Sequence, residues 1–77
     1  MKLSNIKSKG VVKAFLKMGF EKIDQKGTHV ILKGEINGIK KTLSIPIHHK
    51  EIPNGTLTDI INNQAEISRE EFFKYYK

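Results

Sequence analysis

The fold of this chain is decided by residues 28–47, which read THVILKGEINGIKKTLSIPI. At the centre of this stretch, Asn37-Gly38 strongly favours a two-residue type I′ turn, whose two central positions both need positive φ. The turn predicts a hairpin that pairs Ile36 with Ile39, Leu32 with Leu43, Val30 with Ile45, and His29 with Pro46. A slip of one residue would reverse the faces of every side chain, so this register is strongly specified.

The same register sorts the side chains of the hairpin and its flanks onto two faces. The apolar face carries Ile23, Val30, Leu32, Ile36, Leu43, Ile45 and Ile47. The polar face carries Asp24, His29, Lys33, Lys40, Thr42, Ser44 and His48. Only Ile31 and Lys41 fall on the face opposite to their character. We therefore expect an antiparallel sheet with its core on one side and solvent on the other.

Residues 20–27 extend the period of two upstream and predict a third strand. If Lys26-Gly27 forms the two-residue tip of the first hairpin, Gln25 faces Thr28, Ile23 faces Val30 and Asp24 faces His29. This pairing predicts a carboxylate across from His29.

Apolar residues at three- and four-residue spacing predict helices on both sides of the strands. The first helix has Ser8 as a plausible N-cap and Gly19 as its left-handed C-cap, and its stripe consists of Val11, Val12, Phe15, Leu16 and Met18. The second has Pro53 in its first turn and a stripe of Leu57, Ile60, Ile61 and Ala65. Residues 68–71 form a capping box for a short third helix. The helical spacing of its aromatic residues predicts that they pack on the domain or on a partner protein rather than stack on bases. These residues are Phe72, Phe73, Tyr75 and Tyr76.

These elements predict an α+β fold. The order α-β-β-β-α with a short C-terminal helix places the helices on one face of an antiparallel three-stranded sheet. The 77 residues suit a single domain over residues 1–77. Without cysteine, a membrane-spanning run or a signal peptide, the chain is expected to be cytoplasmic, with no membrane partner.

The net charge of +6 indicates a polyanionic partner. All but one of the cations are lysines, which suit phosphate contacts with little base specificity and strong salt dependence. The candidate RNA-binding residues are Lys26, Gly27, Thr28, Lys33, Lys40 and Lys50. A lysine-rich surface that maintains solubility or binds an acidic protein is the alternative.

His29 and His48 are predicted on the polar face, one diagonal step apart, or about 7 to 8 Å between backbones. That spacing could hold a phosphodiester between two imidazoles. Cleavage of RNA without metal needs a base, an acid and positive charge on the phosphate, and histidine suits either proton role. Asp24 could orient His29. The ligand spacing disfavours a zinc site, and no cofactor is expected.

A set of motifs, taken together, resembles the HicA toxins of HicAB toxin-antitoxin systems over about residues 8–73. The motifs are Gly19-Phe20, Gln25-Lys26-Gly27-Thr28-His29, Pro46-Ile47-His48, Gly55-Thr56-Leu57 with Ile60, and Ile67-Ser68-Arg69-Glu70-Glu71-Phe72. The resemblance implies a fold like a double-stranded RNA-binding domain, cleavage of mRNA, and a HicB antitoxin that covers the toxin. It maps the catalytic histidine onto His29. Thr28 replaces the common serine, and His48 matches a position that is frequently histidine.

Three functions remain open from the sequence. The first is an endoribonuclease toxin that uses His29. The second is a module that binds RNA through the same lysines without cutting it. The third is a protein-interaction domain whose basic surface binds an acidic partner.

Overall fold

A computed structural model describes residues 6–47 and 50–76 of the chain. The helices are α1 (Ser8–Lys17), α2 (Asn54–Asp59), which continues as a π-helical segment (Ile60–Ala65), and α3 (Arg69–Tyr75). The strands are β1 (Glu21–Lys26), β2 (His29–Ile36) and β3 (Ile39–Pro46). They form one antiparallel sheet in the order β1-β2-β3, so the predicted α+β architecture is confirmed. No helix among the described residues combines the length and apolar character needed to cross a bilayer.

The second hairpin has the predicted register. Ile36 pairs with Ile39, Leu32 with Leu43, and His29 with Pro46. Asn37 and Gly38 have φ values of 54° and 79°, as a type I′ turn requires. The buried side of this hairpin joins the helices in one core, which includes Val30, Leu32, Leu43, Ile45, Phe15, Leu57, Ile60 and Ile61. The opposite side of the sheet, called the outer face below, carries no helix of the described chain.

Helix α1 ends as predicted at Gly19, which has φ +104°. The Gly19 N–H donates to the Leu16 carbonyl at 3.1 Å, and the Phe20 N–H donates to the Phe15 carbonyl at 3.0 Å. This is the Schellman arrangement, and it turns Phe20 back into the core. The start of the helix differs from the prediction. Lys7 is the N-cap, and Ser8 is a buried first-turn residue whose N–H donates to the Lys50 carbonyl at 3.0 Å.

Gly34 lies on the core side of β2, against the ring of Phe20. A Cβ at this position would lie 2.7 Å from Phe20 Cγ. Because that ring is buried, Gly34→Ala is expected to lower the free energy of unfolding by about 1–3 kcal/mol. Urea denaturation measures the loss. Gly55→Ala is the matched control, since nothing lies within 4 Å of its Cβ. Equal stability of the two variants would show that the approach of Phe20 to Gly34 is unimportant.

The π-helical segment covers the edge of β3 through Gln64. The Gln64 Oε1 accepts a hydrogen bond from the Ser44 N–H at 2.9 Å, and its Nε2 donates to Asp59 Oδ2 at 3.1 Å. Asn63 Nδ2 donates to the other Asp59 oxygen at 2.8 Å. The hydrogen bonds from Asn63 and Gln64 hold the pKa of Asp59 below its ordinary value. Asp59 thereby orients the amide that occupies the strand edge.

This lowered pKa predicts a pH dependence of stability. The folded protein binds the Asp59 proton more weakly than the unfolded chain does, so its contribution is complete above about pH 4 and is lost as the pH falls through the folded pKa. Acidification from pH 6 to pH 3 should therefore destabilise the wild type more than Asp59→Asn. Urea midpoints at the two pH values provide the comparison. Identical losses in the two proteins would refute this role of Asp59.

Candidate active site at the His29 end of the sheet

The first hairpin turns at Gly27-Thr28, not at Lys26-Gly27. Lys26 pairs with His29, and Asp24 pairs with Ile31, so the predicted register of this hairpin is wrong by two residues. Gly27 has φ +58° and Thr28 does not have a positive φ, which is the pattern of a type II′ turn. That turn needs glycine at its first central position, whereas the prediction had placed Gly27 second.

A β-bulge at Ile23 is the second departure in β1. The register shifts between Lys22 and Asp24, so Ile23 is the extra residue of this strand. Its side chain is 54% exposed, and the prediction that it faces the core is wrong. The bulge brings it toward the outer face, where it lines a shallow pocket of about 250 Å³ with Glu21 and Lys33.

His29 is the first residue of β2 and is exposed. Alternation along the strand places it on the outer face, with Lys26 of β1 on one side and Pro46 of β3 on the other. These three residues define the His29 end of the sheet. His48, predicted as the second histidine of the site, lies outside the described residues.

Thr28 fixes the position of His29 in two ways. Its Oγ1 lies 3.3 Å from His29 Nδ1, within hydrogen-bond distance. Its carbonyl accepts a hydrogen bond from the Ile47 N–H at 2.7 Å, which ties the turn to the chain leaving β3. His29 is exposed and no described residue hydrogen-bonds its Nε2, so this nitrogen can exchange a proton with a bound molecule.

Asp24 makes no hydrogen bond with His29 in the structure. Its Oδ1 accepts a hydrogen bond from the Gln25 N–H at 2.8 Å, and it lies opposite Ile31, diagonal to His29. Because Lys26 and His29 close a two-residue turn, the backbone groups of Gln25 point away from β2, toward the free edge of the sheet. The Asp24 carboxylate thus accepts a hydrogen bond from a backbone N–H that would otherwise be unpaired at this edge. This hydrogen bond disfavours pairing of the β1 edge with another strand.

The outer face is of mixed charge rather than uniformly basic. Lys33 and Lys40 lie on it as predicted, but each is paired across strands with a carboxylate residue, Glu21 for Lys33 and Glu35 for Lys40. Lys26 is the cation directly opposite His29. Lys50 is exposed on the chain that follows β3. On the outer face, therefore, Lys26 at the His29 end is the cation without a glutamate directly across the strands.

The described residues contain no group of three or more histidine and carboxylate side chains that could hold a metal ion. The arrangement at the His29 end offers an exposed imidazole, a hydroxyl oxygen 3.3 Å from its Nδ1, and a lysine directly opposite on the neighbouring strand. Such a set can transfer protons and stabilise anionic charge.

Comparison with known protein families gives one match. Residues 8–67 match the HicA toxin family of bacterial toxin-antitoxin systems. No curated protein and no solved structure matches the chain significantly. The matched residues run from the start of α1 through the π-helical segment and include the whole sheet with His29. This chain therefore belongs to the HicA toxin family, and it is the toxin of a toxin-antitoxin pair.

Proposed function

We propose that this toxin is a metal-independent endoribonuclease that cleaves mRNA, with His29 as general acid/base, and that a HicB-type antitoxin neutralises it. The observation that carries the proposal is the exposed His29 imidazole, with Thr28 Oγ1 at 3.3 Å from Nδ1 and Lys26 directly opposite. An mRNA substrate would place the activity in the cytoplasm.

The proposed reaction uses His29 Nε2 as the working nitrogen. With the Nδ1 proton donated to Thr28 Oγ1, Nε2 carries a lone pair and takes the proton of the ribose 2′-hydroxyl. The 2′-oxygen attacks phosphorus and forms a 2′,3′-cyclic phosphate, while the bond to the 5′-oxygen breaks. The departing oxygen takes a proton from solvent, to which the site is open. The Lys26 ammonium offsets the charge that develops on the phosphate oxygens.

The hydroxyl of Thr28 is predicted to select the tautomer of His29. Thr28→Val has a similar shape but removes the hydrogen-bond partner of Nδ1, so the neutral ring should lose its preference for the Nδ1–H form. Nitrogen chemical shifts of His29 measure the tautomer ratio, and Thr28→Ser should restore the wild-type ratio. The cleavage rate of Thr28→Val should fall in parallel. A ratio unchanged in Thr28→Val would contradict this role.

The proposed antitoxin covers the outer face from the His29 end to Ile23. An acidic segment would complement Lys26, and apolar side chains would cover Ile23, which is 54% exposed. Binding of the antitoxin would then block access of RNA to His29. A complex in which the His29 ring remains as accessible as in the free toxin would oppose this mode of neutralisation.

The experiment that tests the proposed function incubates the purified protein with single-stranded RNA in EDTA and follows the length of the RNA. Shortened products that end in a 2′,3′-cyclic phosphate are the expected result. Intact RNA together with salt-sensitive binding would instead identify a non-catalytic RNA-binding module. Absence of binding at low salt would identify a surface for an acidic protein.

A further inference from the structure

Helix α1 carries three exposed lysines on one side, called the α1 row below, with no acidic residue in the helix. Lys9, Lys13 and Lys17 are all exposed, and their four-residue spacing places them along one side of the helix, about 6 Å apart. None of the three forms an ion pair with a described residue. Residues 1–20 contain no aspartate or glutamate, although eight acidic residues are present later in the chain. This is the longest stretch of uncompensated positive charge in the sequence.

The row has a folding cost. Like charges four residues apart on a helix repel each other, and α1 has no acidic residue to relieve this repulsion. Lys33 and Lys40 on the sheet form no ion pair with a described residue either, but each has a glutamate directly across the strands, which lowers the local positive potential. The α1 row is therefore better suited than the outer face to attract a polyanion.

The row begins close to the His29 end of the sheet. The Ser8 N–H, at the start of α1, donates to the Lys50 carbonyl at 3.0 Å, and the Ile47 N–H donates to the Thr28 carbonyl at 2.7 Å. The three residues of chain from Ile47 to Lys50 can span at most about 11 Å. The backbones of Thr28 and Ser8 are thus linked over a short distance. Lys26, Lys50 and Lys9 lie within two residues of these linked positions in the sequence.

We propose that the α1 row, defined as Lys9, Lys13 and Lys17, binds the phosphate backbone of the RNA that flanks the cleaved bond. This inference rests on the proposed function for the position of the cleaved bond at His29. Lysines act as mobile point charges, so the contacts hold the strand without reading its bases. The RNA would pass from the His29 end around the start of α1 and along the helix. The affinity for RNA would depend on the length of the RNA, because a very short RNA cannot reach α1.

Two double variants of equal charge test the α1 row. The first is Lys13→Gln with Lys17→Gln. The second, the control, is Lys22→Gln with Lys74→Gln, which removes two exposed lysines from β1 and α3. Both pairs are built on His29→Ala, so that binding is measured without cleavage. Glutamine keeps the helix propensity of lysine, and thermal melts confirm that each variant is folded.

Binding to a single-stranded 20-nucleotide RNA is measured over a range of salt concentrations. Loss of two phosphate contacts should reduce the magnitude of the slope of log affinity against log salt by about 1.4 for the α1 pair, while the control pair should retain the slope of the His29→Ala parent. Equal slopes for the α1 pair and the control pair would overturn the inference.

A second measurement separates this inference from the proposed function. On the active background, the ratio of kcat/KM for the 20-nucleotide RNA to that for a dinucleotide should fall in the α1 pair and not in the control pair. An unchanged ratio in the α1 pair would also overturn the inference. If the wild type cleaves neither substrate, the proposed function fails, and the salt slopes alone decide whether α1 binds RNA.

Discussion

Phe72→Ala is expected to lower the free energy of unfolding by about 3–5 kcal/mol. The Phe72 side chain is fully buried, and its ring centroid lies 5.8 Å from that of Phe15 and 5.6 Å from that of Tyr76. Alanine would leave a cavity where α3 packs on α1. A chain of this length has a total stability of only about 4–12 kcal/mol. The variant should therefore be partly or wholly unfolded at 37 °C.

This prediction concerns a helix that follows the residues matched by the family, which end at 67. Helix α3 is nevertheless attached to the domain, since the Lys7 N–H donates to the Tyr76 hydroxyl at 3.0 Å and Ser68 caps the helix by accepting from the Glu71 N–H at 3.0 Å. Urea denaturation followed by circular dichroism measures the effect. Lys74→Ala, exposed on the same helix, is the control. A Phe72→Ala variant as stable as this control would show that α3 is dispensable for folding.

His29→Ala is expected to reduce the rate of RNA cleavage by about 10²- to 10⁴-fold, the usual contribution of one general acid or base. Stability should change little, because the ring is exposed and its one described side-chain contact is Thr28. Affinity for RNA should also be retained, since Lys26, Lys50 and the α1 row are unaltered. The loss is thus predicted in the chemical step and not in binding.

Asp24→Asn provides a control for His29→Ala. Asp24 accepts from the Gln25 N–H and makes no hydrogen bond with His29, so the variant should cleave RNA at the wild-type rate. A large loss of cleavage in Asp24→Asn would restore the sequence-based hypothesis that this carboxylate orients the histidine.

The sequence predicts the second hairpin well because the residues of its turn fit one turn type at one position. Asn37-Gly38 tolerates positive φ at both positions, and the alternation on its two flanks admits one register. The first turn has one glycine, which could occupy either central position. Turn chemistry favours Gly27 as the first, because Gly27 in the second position of a type I′ turn would require positive φ at Lys26 as well, and this choice moves Asp24 away from its predicted place opposite His29.

The bulge at Ile23 has no comparable signal in the sequence. The predicted burial of Ile23 rested on pairing it with Val30 through a Lys26-Gly27 turn, whereas Val30 pairs with Gln25. The structure places Ile23 in an edge strand whose six residues are all exposed, because the helices pack on β2 and β3. Burial of a strand residue thus depends on which strands the helices cover. The apolar nature of a single residue does not reveal this.

The candidate site was only partly predictable for the same reason. His29 follows from local pattern, since it begins a strand with an alternating polar face. The link between the His29 end and α1 depends on the contact of Ser8 with Lys50, which are 42 positions apart in sequence. The environment of Lys41 also depends on a contact between residues that are distant in sequence. Lys41 lies on the core side, and its ammonium forms an ion pair with Glu66 at the end of the π-helical segment, with 10% of its side chain exposed.

The proposed cleavage depends on an exposed imidazole on the outer face that takes the 2′-hydroxyl proton of RNA. Single-turnover cleavage of an end-labelled RNA in EDTA, with the protein in excess, tests it most directly in the wild type and His29→Ala. We expect cyclic-phosphate products from the wild type and a rate at least about 100-fold lower for the variant. Equal rates for the two proteins would contradict it.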